Sequence, residues 1–408
     1  MTDVPHSIPP HRIAVVGAGQ AAATLIETLR KRGHAGPITL YGDEGEAPYQ
    51  RPPLSKAYLL GEMARERLHL RPSAWWAEHG VDLRTGTRVS AIDAGARTLT
   101  HAGGTEAWDA LVLATGSTPR RLPAAIGGDL PGVHVVRGLG DVDAMRPDLV
   151  AGGRLLVVGG GYIGLEAAAV ARKLGMAVTV LEAAKRLLAR VSCHDTATWF
   201  AALHRDRGVA IREAAKLERL EGGARVERAV LSDGSVLEVD AVVCGIGIVP
   251  NAGLAEAAGL VIDDGIAVDQ LGRTSAEGVW ACGDCASFPH GSGRLRLESV
   301  GNAIDMAEAV AGNILGDDEP YVARPWFWSD QYDVKLQIAG LNDGFDDVVV
   351  RDGDGRSHWY FRGDRLLAVD AMNDPRAYMA GKRMIEAGRS PLKAKVADPG
   401  VTARDLMA

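Results

Sequence analysis

The chain has 408 residues, of which 47% are apolar and 24% charged, which is the composition of a globular protein. A chain of this length is too long for one compact core, so we expect two or three domains. Its formal net charge of -7 offers no basic field for a polyanion, which argues against nucleic acid as a partner. No export signal stands at the N-terminus, no apolar run reaches about 18 residues, and four cysteines are too few for a disulfide scaffold. We therefore expect a cytoplasmic protein that neither spans nor binds a membrane.

A strand, a glycine-rich loop, a helix and a second strand open the chain. Residues 12–17 and 37–41 are predicted strands, and the alanine-rich stretch between them, to residue 32, is a predicted helix. In the loop, Gly17 permits the tight turn and Gly19 lets the backbone approach a pyrophosphate, which the helix N-terminus attracts. Asp43 follows the second strand, where a ribose diol would lie. The pattern predicts a dinucleotide site.

The same order recurs later in the chain. Residues 154–159 and 177–182 are predicted strands on either side of a helix that ends near Gly175. The full G-x-G-x-x-G loop contains Gly159, Gly161 and Gly164. Glu182 stands close to the expected distance of about 20 positions after the first glycine. A carboxylate there accepts hydrogen bonds from a 2′-hydroxyl and repels a 2′-phosphate, so NADH is favoured over NADPH, although Lys185 and Arg186 follow and leave the phosphate alternative open.

Two nucleotide sites in one chain indicate a bound flavin that exchanges electrons with a diffusible nicotinamide. Two further stretches support the flavin. The run L-A-T-G-S contains Thr115 and Gly116, and W-A-C-G-D-C-A places the Asp284 carboxylate against ribityl hydroxyls.

Between apolar runs in residues 226–244, Asp233-Gly234 predicts a hairpin.

The pattern changes after Trp326 to short alternating strands. Strands are predicted at 333–340, 348–351, 357–362 and 366–371, a helix at about 375–387, and a loosely structured tail at 394–408. The predicted fold class is α/β, with two Rossmann-like dinucleotide-binding domains and a C-terminal α+β domain. The predicted boundaries are 1–117 with 246–323 for the FAD-binding domain, 118–245 for the NAD(H)-binding domain and 324–408 for the C-terminal domain.

Cys282 and Cys285 form a C-x-x-C, a spacing that thioredoxin reductases use as a dithiol. Here the pair lies inside the Gly-Asp flavin stretch, and residues 41–60 contain no cysteine of the kind that glutathione reductases use. We therefore expect no internal disulfide relay. We also expect no metal, because His194, His204 and His290 lack ligand spacing and two cysteines are too few for a cluster.

Two stretches are more specific than any glycine loop, namely R-P-P-L-S-K at residues 51–56 and P-W-F-W-S-D-Q at residues 325–331. With them, residues 12–372 resemble the FAD-dependent ferredoxin reductases of bacterial oxygenase systems, which implies a glutathione-reductase-like fold with bound FAD and with NADH as substrate. The resemblance and the loops together assign NADH binding to Gly159, Gly161, Gly164 and Glu182. They assign FAD binding to Gly17, Gly19, Ala21, Asp43, Arg51, Lys56, Val89, Thr115, Gly116, Arg137, Asp284 and Val300.

The resemblance also implies the catalytic residues. Lys56 would stabilise the negative charge that develops on the flavin as hydride arrives, with Glu166 as its partner. Glu298 would hold the nicotinamide amide, and Trp328 would cover the site from the third domain. The alternatives are a surface salt bridge for the first pair and ordinary packing for the other two residues.

The implied acceptor is a [2Fe–2S] ferredoxin, which in turn supplies a monooxygenase or a ring-hydroxylating dioxygenase, and we expect a monomer or weak dimer. Such ferredoxins are acidic, so a local basic patch is expected to steer them. The candidate residues for it are Arg65, Arg67, Arg71, Arg294 and Arg296, although a solvated basic face is an equal alternative. The alternative functions are a rubredoxin reductase, an NADH oxidase, and an NADH-sensing flavoprotein of the apoptosis-inducing-factor type.

Overall fold

The computed structural model describes residues 10–353 and 355–407, so most of the N-terminal stretch searched for an export signal lies outside the described residues. The chain forms two compact units. The first consists of the described part of Met1–Gln50, with Arg65–Thr118 and Val249–Pro325. The second consists of Arg51–Ala64, Pro119–Ile248 and Trp326–Ala408, the last of these to residue 407.

A five-stranded parallel sheet forms the centre of the first unit. Three of its strands, Val279–Ala281, Ala110–Leu113 and Ile13–Val16, are continuous apolar runs, as expected where both faces of a sheet are covered, and Val15 and Leu111 are fully buried. In spatial order the strands are Val279–Ala281, Ala110–Leu113, Ile13–Val16, Ile38–Tyr41 and Val81–Arg84. The helices of the unit are Gln20–Lys31, Ser73–Glu78, Gly253–Ala257 and Val300–Ile314, with a 3-10 turn at Arg65–Leu68.

Two smaller sheets complete the first unit. One is an antiparallel sheet of Val89–Asp93, Thr98–His101 and Gly104–Ala107, whose last turn contains Gly103. The other has the strand order Ile266–Ala267, Ala286–His290 and Gly293–Leu295. Two short strands, Ser117–Pro119 and Ile248–Pro250, pair with each other.

A second five-stranded parallel sheet lies in the second unit. In spatial order its strands are Ala210–Arg212, Ala177–Leu181, Arg154–Val158, Ala241–Cys244 and Val133–His134. Its α-helices are Leu139–Met145, Tyr162–Lys173 and His194–Asp206, and its 3-10 turns are Pro52–Ser55, Ala124–Ile126 and Arg146–Asp148. The predicted hairpin is confirmed as Arg228–Leu231 paired with Val236–Glu238, and Leu217–Glu221 adds a third strand to it.

The C-terminal part of the second unit is a five-stranded antiparallel sheet with helices. In spatial order the strands are Trp326–Gln331, Val334–Gly340, Arg365–Met372, Arg356–Arg362 and Asp347–Asp352. Four of these strands and the helix Pro375–Glu386 confirm the predicted elements, but the strand Trp326–Gln331 was not predicted. The mixed α/β architecture with a C-terminal α+β part confirms the predicted fold class.

The end of the chain corrects the sequence analysis. Residues 394–407 are not loosely structured, because the helices Lys393–Ala397 and Ala403–Leu406 pack onto the C-terminal sheet. Val396 and Leu406 are buried in the same core as Trp359. Arg351, itself buried, donates hydrogen bonds to the backbone carbonyls of this segment. Its apolar and backbone contacts therefore fix the segment.

In the described residues no helix has the length and apolar character to cross a membrane.

Candidate functional site

The first glycine loop has a shape that only glycine allows at its first position. Gly17 has φ +105°, and a Cβ on it would overlap the carbonyl oxygen of Ala114 on the neighbouring strand. Gly19 immediately precedes the helix Gln20–Lys31, and a Cβ on it would meet nothing within 4 Å. The space beside Gly19 at the N-terminus of the helix is therefore open, which fits a pyrophosphate group.

The two other flavin stretches come together behind this loop. Ser117 Oγ donates a hydrogen bond of 2.8 Å to Asp284 Oδ2, although the residues are far apart in the sequence. Thr115 Oγ1 donates to the backbone oxygen of Asn251 at 2.7 Å, which fixes the turn that contains Gly116. The structure thus brings the predicted Thr115, Gly116 and Asp284 to one place, and Asn251 is a supporting residue that sequence reasoning missed.

Ala21 links the loop to the same place, because a Cβ on Gly283 would lie 3.1 Å from the Ala21 Cβ. Asp43 is exposed after the strand Ile38–Tyr41, where a ribose can reach it. Val89 is buried at the start of its strand, and Val300 begins the helix Val300–Ile314. All of these predicted FAD residues lie in the first unit.

Glu298 and the two arginines before it have internal partners. Arg296 Nη1 donates to Glu298 Oε1 at 2.7 Å, and the Arg296 side chain is only 10% exposed. Arg294 donates to Ser287 Oγ at 3.0 Å and to the Val268 carbonyl at 2.7 Å. Both arginines therefore have partners within the first unit. Of the other candidates, Arg67 is exposed on the 3-10 turn Arg65–Leu68, whereas Arg65 pairs with Glu46 and Arg71 with Glu27.

The second glycine loop repeats the geometry of the first. Gly159 has φ +105°, a Cβ on it would overlap the Gly245 carbonyl, and a Cβ on Gly164 would overlap the Gly159 carbonyl. Gly161 precedes the helix Tyr162–Lys173 and has nothing within 4 Å of its Cβ position. The outer face of this loop is therefore also open to a pyrophosphate.

Glu182 is held in place by two backbone N–H groups. Gly160 N donates to its Oε2 at 2.8 Å, and Ala184 N donates to its Oε1 at 2.7 Å. These bonds fix the orientation of the carboxylate beside the loop. Arg186 donates to the carbonyls of Cys193 and Ala189, and Lys185 is exposed. Of the two cations after Glu182, only Lys185 remains available to a phosphate.

Lys56 and Glu166 form the predicted pair. Lys56 Nζ lies 2.7 Å from Glu166 Oε2, and the two side chains are 18% and 4% exposed. Lys56 follows the 3-10 turn Pro52–Ser55, and Glu166 lies in the first turns of the helix after the second glycine loop. Ser55 Oγ donates to Glu166 Oε2 and Ser329 Oγ donates to Glu166 Oε1, each at 2.6 Å. The pair is therefore not the surface salt bridge considered as an alternative.

Sequence reasoning missed the two serines, although both stand inside the quoted stretches R-P-P-L-S-K and P-W-F-W-S-D-Q. Their side-chain oxygens complete the shell of the Glu166 carboxylate. The only signal in the sequence was their position inside these specific stretches.

The remaining predicted residues of the second unit also have defined positions. Arg51 Nη1 donates to the backbone oxygen of Arg137 at 2.8 Å, which joins two predicted FAD residues. Trp328 is half-buried on the strand Trp326–Gln331 and stacks on Trp326, with ring centroids 5.6 Å apart.

All four cysteines are free and buried. Cys285 Sγ donates to the carbonyls of Leu113 and Cys282, and burial raises the pKa of both thiols of the C-x-x-C above the usual range. Neither thiol is exposed. A protonated, inaccessible thiol is a poor nucleophile, which supports a packing role for the pair.

Among the residues that the structure describes, no group of three His, Cys, Asp or Glu side chains has metal-site geometry.

Comparisons with known proteins agree with the presence of two nucleotide sites in one chain. Residues 11–307 match the model of the pyridine nucleotide-disulphide oxidoreductase family, and residues 326–407 match the reductase C-terminal domain. This chain belongs to the pyridine nucleotide-disulphide oxidoreductase family. It is an oxidoreductase that binds FAD and uses a nicotinamide nucleotide, as predicted.

Its relatives cover nearly the whole chain. Rhodocoxin reductase of Rhodococcus erythropolis is 42% identical over 91% of this chain and 89% of its own length. Putidaredoxin reductase of Pseudomonas putida is 39% identical over 97% and 96%, respectively. A ferredoxin–NAD(P)⁺ reductase of a Sphingomonas species is 40% identical over 97% of both chains.

Solved structures give the same result. The reductase in a covalent putidaredoxin reductase–putidaredoxin complex superposes with a TM-score of 0.93 at 38% identity, covering 97% of this chain and 98% of the other. A ferredoxin reductase from Rhodopseudomonas palustris superposes with a TM-score of 0.94 at 37% identity, covering 98% and 100%. The resemblance inferred from the sequence motifs is confirmed.

Proposed function

We propose that this protein is an NADH-dependent reductase of a [2Fe–2S] ferredoxin that supplies electrons to an oxygenase. Relatives of about 40% identity carry names of this type, among them an anthranilate dioxygenase reductase component and a biphenyl dioxygenase reductase component. FAD, when bound, accepts a hydride from NADH and passes its two electrons on singly. Two ferredoxin molecules would then be consumed for each NADH.

One observation favours an external acceptor. In a family named for disulphide chemistry, all four cysteines of this chain are free and buried. With neither thiol of the C-x-x-C exposed, an internal dithiol relay has no access to a substrate. The electrons would therefore leave the flavin directly for a separate redox protein.

The residues of the second unit would prepare the hydride transfer. Glu166 holds the Lys56 ammonium in one orientation, and its own charge is stabilised by Ser55 and Ser329. As the resemblance implies, Lys56 would place a positive charge where negative charge develops on the flavin. The resemblance further implies that Trp328 would cover the nicotinamide and that Glu298, a residue of the first unit, would hold its amide.

Glu182 would select NADH. Its two backbone hydrogen bonds fix a carboxylate beside the glycine loop, and the remaining lone pairs can accept hydrogen bonds from ribose hydroxyls. A 2′-phosphate would meet this charge, and the Arg186 guanidinium is already engaged by carbonyl oxygens.

The test is anaerobic stopped-flow reduction of the FAD-loaded protein by NADH and by NADPH, followed by mixing with a [2Fe–2S] ferredoxin. We expect rapid bleaching of the flavin band by NADH, a weak response to NADPH and fast reoxidation by the ferredoxin. Reoxidation by ferredoxin no faster than by dissolved oxygen would refute the proposal and favour an oxidase. Slow reoxidation accompanied by dimer formation would favour an NADH sensor.

We place this reaction in the cytoplasm, where the four free thiols would stay reduced. The contact with ferredoxin is expected to be transient and small, below about 1,200 Å². The reductase itself is proposed to act as a monomer or weak dimer.

A further inference from the structure

A row of hydrogen bonds runs from the Glu166 carboxylate through the interior of the second unit. Ser329 Oγ contacts Glu166 Oε1 at 2.6 Å, and Gln331 Nε2 contacts Ser329 Oγ at 3.1 Å. Gln331 Oε1 contacts His204 Nε2 at 2.8 Å, and His204 Nδ1 contacts the Tyr332 hydroxyl at 3.1 Å. The row joins the helix that follows the second glycine loop, the first C-terminal strand and the helix His194–Asp206.

The chemistry of these groups permits one direction along the row. A charged carboxylate has no proton, so Ser329 must donate to Glu166 and accept from the Gln331 amide. The Gln331 carbonyl then faces His204, whose Nε2 must carry the ring proton, and Nδ1 accepts from Tyr332. All four donors point toward Glu166, so their dipoles add and stabilise its negative charge.

The row is closed to solvent except at its outer end. Ser329, Gln331 and His204 are 0% exposed, whereas Tyr332 is half-buried. Burial lowers the pKa of His204, so its ring stays neutral at physiological pH. The Gln331 amide transmits polarisation but has no proton to pass on without forming an unfavourable tautomer. These groups therefore orient and polarise the Glu166 carboxylate, and they do not form a path for proton transfer.

Tyr332 adopts an unusual backbone conformation to complete the row. It has φ +57° in the two-residue turn between the strands Trp326–Gln331 and Val334–Gly340, a region that costs a bulky residue energy. The Arg207 guanidinium lies 5.1 Å from the centre of its ring and also pairs with Asp333. A cation on one face of the ring and a hydrogen bond from its hydroxyl hold the side chain over His204.

We propose that His204, Gln331 and Tyr332 are positioning residues for flavin reduction by NADH, acting from a distance through Glu166 on Lys56. The proposal rests on the proposed function, since it assigns Lys56 to the flavin. The row fixes the orientation and charge of the Glu166 carboxylate, and the carboxylate in turn fixes the Lys56 ammonium 2.7 Å away. Without the row, the ammonium would sample other orientations, and its effect on the flavin would weaken.

The decisive experiment is a double-mutant cycle on the FAD-loaded protein with His204→Leu and Lys56→Met. The single substitution at His204 is expected to slow flavin reduction at saturating NADH about tenfold, with little change in the NADH concentration for half-maximal rate. In the Lys56→Met background it is expected to have no further effect, because its action passes through Lys56. A purely structural role would slow both backgrounds equally and would overturn the proposal.

His204→Gln is the matched rescue variant, because the Gln amide nitrogen can replace the Nε2 donor, and it is expected to recover most of the rate. Tyr332→Phe, which removes only the outermost donor, is expected to slow reduction about two- to threefold. These two variants keep the test decisive if His204→Leu fails to fold. A rate for Tyr332→Phe equal to that of the unchanged protein, or a rate for His204→Gln as slow as that of His204→Leu, would also overturn the proposal.

Two further readouts do not depend on turnover. In ¹⁵N-histidine-labelled protein, long-range ¹H–¹⁵N spectra are expected to show His204 with its proton on Nε2, and a proton on Nδ1 would contradict the row. The flavin midpoint potential of His204→Leu is expected to fall by about 30 mV, which corresponds to tenfold in a two-electron equilibrium. If Lys56→Met itself left the reduction rate unchanged, the assigned role of Lys56 would fail, which is a different outcome from an inert His204.

Discussion

The two glycine loops share a backbone geometry but differ in what surrounds them. Gly17 and Gly159 have the same φ of +105°, and each lies against a carbonyl of the neighbouring strand. The acidic residue of the first site, Asp43, is exposed after its strand. That of the second, Glu182, is already bound by two backbone N–H groups. The Asp43 carboxylate is open to solvent, whereas the backbone fixes the Glu182 carboxylate.

This difference suits a resident and a diffusible nucleotide. A cofactor that stays bound can order its own contacts once, as part of folding. A substrate that binds at every turnover gains affinity and selectivity from groups that need no further ordering. The loop geometry is the same at both sites, so the environment of the acidic residue is what distinguishes them.

The largest expected effect comes from a matched pair of substitutions, Gly17→Ala and Gly159→Ala. Each adds a Cβ that overlaps a backbone carbonyl at a positive φ, which costs about 3 kcal/mol or more. Gly17→Ala is expected to yield protein without flavin, and Gly159→Ala to yield flavoprotein that NADH cannot reduce. The absorbance ratio of flavin to protein and the bleaching rate measure these outcomes.

Gly19→Ala and Gly161→Ala are the controls, because the added Cβ meets nothing within 4 Å in the chain itself. They are expected to weaken nucleotide binding while the melting temperature stays within about 2 °C. Loss of flavin from Gly159→Ala and its retention in Gly17→Ala would reverse the assignment of the two loops.

Lys56→Met tests the charge beside the second site. Removal of the ammonium is expected to slow flavin reduction about a hundredfold, the order seen for loss of one electrostatic stabiliser. It also leaves the buried Glu166 carboxylate without its cation, so stability should fall by about 3 kcal/mol. Lys173→Met, which breaks the exposed pair with Glu62, is the control and should change neither quantity appreciably. Equal rates in both variants would refute the role of Lys56.

Glu182→Ser sharpens the comparison between the carboxylates. It removes the charge that repels a 2′-phosphate and frees Lys185 to attract one, so the preference for NADH over NADPH in kcat/KM should fall about thirtyfold. Glu238→Gln, an exposed carboxylate of the same unit, should leave the preference unchanged. An unaltered preference in the serine variant would show that Glu182 does not select the nucleotide.

The smallest effect on activity is expected for Cys282→Ala and Cys285→Ala. Both thiols are fully buried, so each substitution should cost about 1 kcal/mol of stability through lost packing. Reduction of ferredoxin should stay within about twofold of the unchanged protein. Normal flavin reduction with loss of acceptor reduction would instead reveal a dithiol relay.

The sequence predicted those parts of the molecule that depend on neighbouring residues. Strand, glycine loop and helix follow each other within about 20 positions, so both loops and their acidic residues could be read directly. The C-terminal strand Trp326–Gln331 was missed because W-F-W lacks the alternation of a half-buried strand. The tail was missed because its short helices gain their stability from packing, not from propensity.

The residues around the Glu166 carboxylate show most clearly what could not be predicted from the sequence. Its partners Ser55, Ser329 and Lys56 come from segments more than 100 positions away. His204 joins them through Gln331 and Ser329. No pattern among neighbouring residues predicts contacts between segments that lie so far apart in the sequence. The Lys56–Glu166 pair itself was predicted only through the resemblance to a known family.

The hydrogen bonds from Arg351 to the last helical segment have a consequence for any truncation of the chain. Its guanidinium binds carbonyl oxygens of Val396, Asp398 and Val401, and the side chain is buried. A truncation before Val396 would remove all three acceptors of that guanidinium together with the buried side chains of Val396 and Leu406. The final residues therefore form part of the core of the C-terminal sheet, and a shortened protein is expected to be less stable in that part of the second unit.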